Sequence, residues 1–269
     1  MPFHLTPPPS FRDRLAASSR PLVGAWICSG SPIAAEIVAG SALDWTLIDG
    51  EHSPIGLESI LALLQAVAPY PITPLVRVPS ADPTWIKQVL DLGAQNLLVP
   101  MVNTAEDAAA VVAATRYPPL GIRGVGSALA RAAQFNRIDG YLQRAHEITS
   151  LTVQIETDAA VQNARQIAEV DGVDAVFIGP SDLAASMGLL GQQEHPDVVA
   201  AVKHTIAEVR AAGKPVGVNA FAPDTARRYL AAGAAFVLVA ADVSILARAT
   251  ENLAATWIPD AETTGRESY

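Results

Sequence analysis

Polar residues that follow short apolar runs carry the chemistry this sequence can support. Glu156 ends the run Leu-Thr-Val-Gln-Ile-Glu, and Asp182 follows Val-Phe-Ile-Gly-Pro-Ser. Two converging carboxylates suit a hard divalent cation such as Mg²⁺ or Mn²⁺, whose other positions go to water and substrate oxygens. Taken singly, Asp182 would serve equally well as the cap of a helix beginning at Leu183. As a pair, Glu156 and Asp182 predict a divalent-metal site.

An Asp-Gly-Glu-His turn supplies a candidate proton acceptor. His52 is the histidine that directly follows an apolar run, and Asp49 lies three residues before it. A carboxylate that fixes the tautomer of an imidazole also raises its basicity. We therefore predict that Asp49 and His52 form a general-base dyad; the alternative is a lone histidine with a structural role.

Arg77 is a charged residue inside the otherwise apolar run Leu-Val-Arg-Val-Pro. It must point either outward to a helix or into the mouth of the fold, and a buried guanidinium needs an anionic partner. In the mouth it would bind a carboxylate or oxyanion bidentately, which predicts an anionic substrate. The turn Gly179-Pro180-Ser181-Asp182 adds backbone amides at a helix start, a further place for a carboxylate.

The lysines exclude one kind of chemistry. Lys87 and Lys203 are expected in helices. Lys214 comes before an apolar run, whereas the candidate site residues come at the ends of such runs. None of the three is placed to form a Schiff base with a substrate. Carbanion or enolate chemistry in this protein would therefore rest on a metal ion.

The elements that must position these residues are short apolar runs, each followed by a longer helical segment. Continuous apolar runs are typical of parallel strands buried on both faces, and eight of them predict a single-domain (β/α)8 TIM barrel. An open doubly wound sheet is the alternative, but it would need a Gly-rich phosphate turn that the sequence lacks. The runs are Leu22–Cys28, Trp45–Asp49, Pro74–Val78, Gln95–Val102, Leu151–Glu156, Ala175–Ile178, Pro215–Asn219 and Ala235–Ala241.

Segments outside the regular pattern define the expected domain organisation. Residues 1–20 are expected to form an N-terminal extension with a possible short helix, and 21–257 to form the barrel. The connection at about 117–147 is too long for a plain helix, and such connections are usually functional loops or subunit contacts. Residues 258–269 are expected to be a polar tail.

Composition and charge narrow the partners. The 269 residues are 50% hydrophobic and 17% charged, with a formal net charge of −9, which excludes disorder. Scattered basic residues argue against nucleic acid or an anionic membrane as a partner. The longest apolar runs fall short of the ~20 residues of a membrane helix, and no secretory signal is evident at the N-terminus, so a cytoplasmic location is expected. A single cysteine, Cys28, excludes an internal disulfide.

Several motifs together resemble the HpcH/HpaI family of metal-dependent pyruvate aldolases, the 4-hydroxy-2-oxoheptanedioate and 2-dehydro-3-deoxyglucarate aldolase type. They occur in order and span nearly the whole chain, which makes the resemblance specific. The matching segments are Asp-Gly-Glu-His-Ser-Pro at 49–54, Val-Arg-Val-Pro at 76–79, Gly-Ala-Gln-Asn-Leu-Leu-Val-Pro-Met-Val at 93–102, Tyr-Pro-Pro-Leu-Gly-Ile-Arg-Gly at 117–124, Gln-Ile-Glu at 154–156 and Phe-Ile-Gly-Pro-Ser-Asp-Leu-Ala-Ala-Ser-Met-Gly at 177–188.

The resemblance implies a barrel enzyme that cleaves or forms carbon–carbon bonds between pyruvate, or a related 2-oxo acid such as hydroxypyruvate, and an aldehyde. It implies that Mg²⁺ or Mn²⁺, or else Co²⁺ or Zn²⁺, binds Glu156 and Asp182, and that Arg77 steadies the enolate. It also implies a homohexamer, a trimer of dimers that exchange the C-terminal helix. The expected site residues are His52, Asp49 and Arg77 for catalysis, and Arg77, Gln154, Ser181, Asp182, Trp26 and Phe221 for substrate binding.

Two departures from the family pattern concern the aldehyde side of the site. They are Ile55-Gly56 after His-Ser-Pro and Phe221 after the seventh run.

Two other functions stay open at this point. A lyase of CoA thioesters such as malyl-CoA or citramalyl-CoA would need a basic surface for the CoA phosphates. A keto-acid or metal sensor on the same scaffold would need no base, whereas Asp49 and His52 supply one.

Overall fold

The computed structural model describes residues 5–126 and 129–258. Residues 1–4 of the predicted extension and 259–269 of the predicted tail lie outside the described residues. The described chain folds into a closed barrel whose strands pair in parallel in the order β1 to β8, with β1 against β8. The strands are β1 Leu22–Ile27, β2 Trp45–Asp49, β3 Thr73–Arg77, β4 Asn96–Val99, β5 Ser150–Ile155, β6 Ala175–Ile178, β7 Val216–Asn219 and β8 Phe236–Ala241.

This closed barrel confirms the (β/α)8 prediction over the open doubly wound sheet. Twelve α-helices occur in the described residues, and most of them lie between strands. They are α1 Phe11–Ala17, α2 Pro32–Ala39, α3 Leu57–Val67, α4 Pro83–Asp91, α5 Ala105–Thr115, α6 Tyr141–Ile148, α7 Asp158–Gln162, α8 Ala164–Glu169, α9 Pro180–Ser186, α10 Pro196–Ala211, α11 Pro223–Ala232 and α12 Asp242–Trp257.

Side-chain caps explain where several helices begin. Ser31 and Asp82 accept backbone hydrogen bonds at the N-termini of α2 and α4, each followed by a proline at the first helical position. Thr104 caps α5 reciprocally with Asp107. The last helix, α12, begins at Asp242, where Ser244 Oγ accepts the Ala241 N–H at 3.2 Å.

Aromatic side chains fill the barrel interior. The ring of Trp45 packs 5.2 Å from Phe11, 5.5 Å from Phe236 and 6.4 Å from Phe177, measured between centroids. Several leucines of the strands share this interior with the rings, whereas other aliphatic strand residues face the helices and form the larger apolar layer. The interior is therefore a packed core rather than a pore.

The N-terminal extension contains the expected short helix, α1. Ser10 and Asp13 form a capping box at its N-terminus. Phe11 is fully buried among the interior aromatic rings, and its backbone N–H donates to Asn96 Oδ1 at 2.7 Å. Asn96 is the first residue of β4, so α1 closes the amino end of the barrel, opposite the end where the candidate site lies.

The long connection at 117–147 is anchored by a buried arginine. Arg123 Nη2 donates to Asp91 Oδ1 at 2.7 Å, and its guanidinium lies 4.5 Å from the ring of Tyr117. The last part of the connection is helical, because α6 begins at Tyr141 with Tyr141 and Ala145 buried. The predicted loop is thus an ordered segment fixed to α4 over its described residues. Residues 127 and 128 lie outside the described residues.

In the described parts of the chain, no helix is both long enough and apolar enough to span a membrane.

Candidate active site

The candidate site residues are brought together because all eight strands run parallel. Asp49 is the last residue of β2, Arg77 the last of β3 and Asn219 the last of β7. Glu156 directly follows β5. Parallel strands end at the same rim, so these side chains converge at the carboxyl-terminal mouth of the barrel.

Glu156 is a buried carboxylate held at both oxygens. The backbone N–H of Met101 donates to Oε1 at 2.7 Å, and the amide Nε2 of Gln154 donates to Oε2. Gly179 makes this arrangement possible, because a Cβ at that position would lie 2.9 Å from both Gln154 Nε2 and Glu156 Oε2. The strand-end glycine therefore lets the β6 backbone approach the carboxylate.

Negative charge accumulates around Glu156. Burial raises the pKa of Glu156 to about 7, the Met101 N–H opposes that rise, and the charges of Glu51 and Asp182 add to it. Asp182 lies in the first turn of α9, whose N-cap is Gly179, so it is not the helix cap that was the alternative. Asp182 and Glu156 are hard oxygen donors with unbalanced charge, a donor set that fits a divalent cation.

The two predicted metal ligands form a small protein donor set. In the described part of the chain, no group of three or more His, Cys, Asp and Glu side chains could hold a metal ion. Glu156 and Asp182 would supply two ligands, which leaves positions for water and substrate oxygens, as Mg²⁺ sites commonly have. Their assignment as ligands remains a prediction.

Arg77 points into the mouth, which settles the orientation that the sequence left open. Its Nε donates to Asp49 Oδ1 at 2.8 Å, and its Nη1 lies 2.8 Å from Glu51 Oε2. Burial alone would raise the pKa of Asp49, but the hydrogen bond and charge of Arg77 outweigh it and hold that pKa below its usual value. The guanidinium is thus held by two carboxylates and keeps further N–H donors for an anionic substrate.

The expected contact between Asp49 and the imidazole of His52 is absent from the structure. Asp49 Oδ1 accepts the backbone N–H groups of Glu51 and His52 at 3.0 and 3.4 Å, and Oδ2 accepts the Ser53 hydroxyl at 3.2 Å. An aspartate readily bonds to backbone N–H groups two or three residues ahead of it, and here this local turn occupies the carboxylate. The prediction that Asp49 contacts the imidazole was therefore wrong; Asp49 shapes the turn and holds Arg77.

The carboxylate nearest the His52 imidazole belongs to Glu51. His52 Nε2 lies 3.9 Å from Glu51 Oε2, and 65% of the His52 side chain is exposed. Burial raises the pKa of Glu51 even though Arg77 and His52 oppose the rise. The sequence contained a signal for this residue, since Glu51 is the carboxylate adjacent to His52, but its spacing from Arg77 becomes visible only in the fold.

Trp26 and Asn219 complete the wall beside Arg77. The indole of Trp26 is buried, with its ring centroid 4.5 Å from Arg77 Cζ. Its Nε1–H donates to Asn219 Oδ1 at 2.9 Å. The structure therefore brings Trp26 to the mouth, where sequence analysis predicted a substrate contact, and it adds Asn219 from the opposite side of β8.

Gln154 and the expected substrate turn lie on the side of the mouth where Glu156 and Asp182 lie. Gln154 Oε1 is buried and has no hydrogen-bond partner among the described residues. Ser181 is exposed at the start of α9 and lines a cavity of about 20 Å³ together with Phe221 and Asn219. Ser181 and Phe221 thus line the same cavity, and their role in substrate binding stays a prediction.

Ile55 does not belong to this wall. It is buried in the apolar layer between strands and helices, so it packs in the core rather than facing an aldehyde. The expectation that Ile55 alters the aldehyde pocket was therefore wrong; its neighbour Gly56 is the N-cap of α3. Phe221 is half-buried and stays the candidate determinant on that side.

The lysines are placed as predicted. Lys87 and Lys203 lie within α4 and α10, and Lys214 Nζ donates to the Val173 carbonyl at 2.6 Å near the amino ends of the strands. A cavity of about 550 Å³ also lies at the amino end, against the starts of β3 and β4. It contains none of the predicted site residues, so charge and donor chemistry, rather than cavity size, identify the site.

The HpcH/HpaI aldolase/citrate lyase family matches residues 22–249. A 4-hydroxy-2-oxo-heptane-1,7-dioate aldolase from Salmonella heidelberg (strain SL476) is 52% identical over 246 residues, covering 91% of this chain and 93% of that protein.

Solved structures give the same result at the level of the fold. An HpcH/HpaI aldolase/citrate lyase family protein from Burkholderia cenocepacia J2315 superposes with a TM-score of 0.89 at 40% identity, covering 93% of this chain and 99% of that one. The citrate synthase SbnG superposes with a TM-score of 0.82 at 27% identity, over 93% and 97% of the two chains.

Proposed function

This chain belongs to the HpcH/HpaI aldolase/citrate lyase family, and we propose that it cleaves and forms 4-hydroxy-2-oxo acids from pyruvate, or a related 2-oxo acid, and an aldehyde. It is a carbon–carbon lyase. One observation carries the proposal. The buried Glu156 carboxyl lies with Asp182 at the mouth of the barrel, and Arg77 and His52 lie at the same mouth. That mouth offers a cation site, an anion site and a base together.

Members of this family generally depend on a divalent metal. We infer that Glu156 and Asp182 would hold Mg²⁺ or Mn²⁺, with Co²⁺ or Zn²⁺ as usable substitutes, because carboxylate pairs accept several divalent ions. When bound, such an ion supplies Lewis-acid stabilisation of the negative charge that develops on the 2-oxo oxygen.

The chain's own residues supply the remaining steps. The backbone N–H groups around Ser181 and Asp182 would bind the substrate carboxylate. Arg77 donates to the developing enolate oxygen with N–H groups that Asp49 and Glu51 leave free. In condensation, His52 takes the proton from C3 of pyruvate, C3 bonds to the aldehyde carbon as the aldehyde C=O π bond breaks, and the resulting alkoxide takes the proton back from His52. Cleavage follows the same steps in reverse. Its exposed imidazole is accessible from the open side of the mouth.

Phe221 and Ser181 form the side from which we infer that the aldehyde approaches. An aromatic ring there restricts the space at the end of β7 more than an aliphatic side chain would.

We prefer an aldolase to a CoA-thioester lyase because the relatives at 52% identity are named as aldolases. The net charge of −9 also gives little support for binding the CoA phosphates.

We further infer that the protein assembles as a homohexamer in which α12 packs on a neighbouring subunit. Asp242 is the one buried residue among those described in α12. Leu246, Leu253 and Trp257 on this helix are 67%, 60% and 77% exposed. An apolar surface of this kind is typical of a subunit contact.

The lone Cys28 fits a reducing compartment, and we propose the cytoplasm as the location.

A cleavage assay tests the proposed function. Metal-stripped protein is incubated with a series of 4-hydroxy-2-oxo acids, and released pyruvate is measured with lactate dehydrogenase and NADH. We expect cleavage to appear on addition of Mg²⁺ or Mn²⁺ and to disappear on chelation. Glu156→Gln should abolish it, whereas Glu169→Gln, an exposed carboxylate on α8, should not. Absence of cleavage with all four ions would overturn the proposal.

A further inference from the structure

Arg77 is held by contacts of two different kinds. Its two carboxylate partners, Asp49 and Glu51, contact Nε and Nη1 at 2.8 Å each. The indole of Trp26 lies against the guanidinium itself, with the ring centroid 4.5 Å from Cζ. Arg77 and Trp26 are both buried, so this cation–π contact is largely desolvated and correspondingly strong.

The indole ring is itself fixed at two points. Its Nε1–H donates to Asn219 Oδ1 at 2.9 Å. Its ring meets the edge of Phe177 at 6.3 Å and an interplanar angle of 74°. Trp26 and Asn219 lie in β1 and β7, which are separated by β8, so this hydrogen bond links two strands that do not pair with each other.

Orientation of the guanidinium matters for the chemistry proposed above. A catalytic donor acts through its placement toward the atom where charge develops, and a shift of about 1 Å can lower a rate by about 10²-fold. Carboxylates at Nε and Nη1 restrain two nitrogens, whereas contact with a ring restrains the plane of the group. The remaining donors of Arg77 depend on both restraints.

We propose that Asn219 and Trp26 are positioning residues for Arg77: Asn219 fixes the indole, and the indole fixes the plane of the guanidinium. This inference rests on the proposed function, since it concerns the residue that would bind the enolate. Neither side chain needs to contact the substrate for the effect to operate, which distinguishes this role from the substrate contact expected for Trp26.

The first test is spectroscopic and uses metal-free protein. The chain has four tryptophans, so the indole ¹⁵N–¹H spectrum is simple, and Trp26→Phe identifies the Trp26 signal by removing it. We expect Asn219→Ala to shift that proton signal upfield through loss of the hydrogen bond. It should also shift or broaden the Arg77 Nε–H signal, which Arg77→Lys identifies. Unchanged Trp26 and Arg77 signals would overturn the proposal.

The second test is kinetic. Trp26→Phe keeps a ring but loses the N–H, and Asn219→Ala loses the acceptor, so each should lower kcat/KM about 10-fold. The double variant should be no worse than the poorer single variant, because both remove the same bond. In an Arg77→Lys background, Asn219→Ala should lower kcat/KM by less than about 2-fold, since the guanidinium it positions is gone.

Controls separate this proposal from simpler explanations. Trp85→Phe makes the same replacement in the outer ring of helices, where Trp85 packs against the apolar layer outside the strands, and should leave kcat/KM unchanged. If Asn219→Ala causes an equal loss with Lys at position 77, Asn219 acts on its own and the positioning role is wrong. If the wild-type protein has no aldolase activity, the proposed function fails, while the spectra of the metal-free protein still decide whether Asn219 governs Trp26 and Arg77.

Discussion

His52 is an exposed side chain beside the buried Asp49, Arg77 and Glu156, and this exposure suits a group that must exchange protons. We predict that His52→Ala lowers the rate of pyruvate C3 proton exchange by about 10²–10⁴-fold, the range for removal of a positioned base. Deuterium incorporation measured by NMR checks this. His204→Ala, an exposed histidine on α10, serves as the matched control. An exchange rate in His52→Ala equal to that of the control would exclude His52 as the base.

At the scale of residues, the sequence predicted where the candidate site residues lie, but it misassigned one contact among them. Asp49, Arg77 and Glu156 were predictable because each ends or follows an apolar run, and the parallel barrel fixes where runs end. The partner of the imidazole was not predictable, because the Asp49 carboxylate is taken up by backbone N–H groups of its own turn. That outcome depends on local loop dihedrals, which residue types and spacing do not determine.

Among the elements, α1 closes the amino end of the barrel, and Phe11 is the residue that it buries in the barrel interior. We predict that Phe11→Ala lowers the free energy of unfolding by about 3–5 kcal/mol, because it leaves a cavity among Trp45, Phe236 and their neighbours. Urea denaturation measures the loss. The kcat of the folded variant should be nearly unchanged, since the mouth lies at the other end of the strands. A stability equal to the wild type would contradict the packing role of α1.

Asp44 joins the starts of β1 and β2. The hydrogen bond from Arg20, and then that from the Val23 N–H, hold the pKa of Asp44 below its usual value despite partial burial. A carboxyl with a depressed folded-state pKa stabilises the fold above its unfolded pKa of about 4, and this stabilisation is lost as the pH falls through the folded value.

Asp44→Asn should therefore lower the urea midpoint at pH 7, with the difference from wild type shrinking below about pH 4 as the wild-type carboxyl is protonated. Asp224→Asn, whose side chain is 92% exposed, should show a much smaller difference at pH 7. A loss for Asp44→Asn that stays constant down to pH 2 would show that the carboxylate charge is not what stabilises this junction.

Element boundaries were predictable where caps mark them and less so elsewhere. Ser31, Asp82 and Thr104 begin helices as their types suggest. The connection at 117–147 was expected as a loop, but it is fixed by the buried Arg123 and ends in α6. Its order depends on long-range partners such as Asp91, which lies about thirty residues away in sequence, and local pattern does not reveal such contacts.

At the scale of the whole molecule, α12 presents an apolar face that one chain does not cover. We predict that Leu253→Glu shifts the protein to a smaller assembly in sedimentation velocity, because a charge would be buried at the subunit contact. Gln166→Glu adds the same charge to an exposed position on α8 and should leave the assembly unchanged. Sedimentation of Leu253→Glu at the wild-type mass would contradict the inferred contact.

The barrel as a whole was predictable because eight repeats of one pattern reinforce each other, so an error in one boundary leaves the topology intact. The exposed apolar face of α12 was not predictable from the same pattern. In the sequence, the apolar residues of α12 have the pattern of an ordinary amphipathic helix. Only the fold shows that they face away from the barrel.

The central claim is that this mouth forms an enolate from a 2-oxo acid with the help of a divalent cation. The most direct measurement is ¹H NMR of pyruvate in D₂O with metal-stripped protein, before and after addition of Mg²⁺ or Mn²⁺. We predict that the methyl signal is stable without metal and disappears after its addition. A methyl signal that persists with Mg²⁺, Mn²⁺, Co²⁺ and Zn²⁺ alike would contradict the claim.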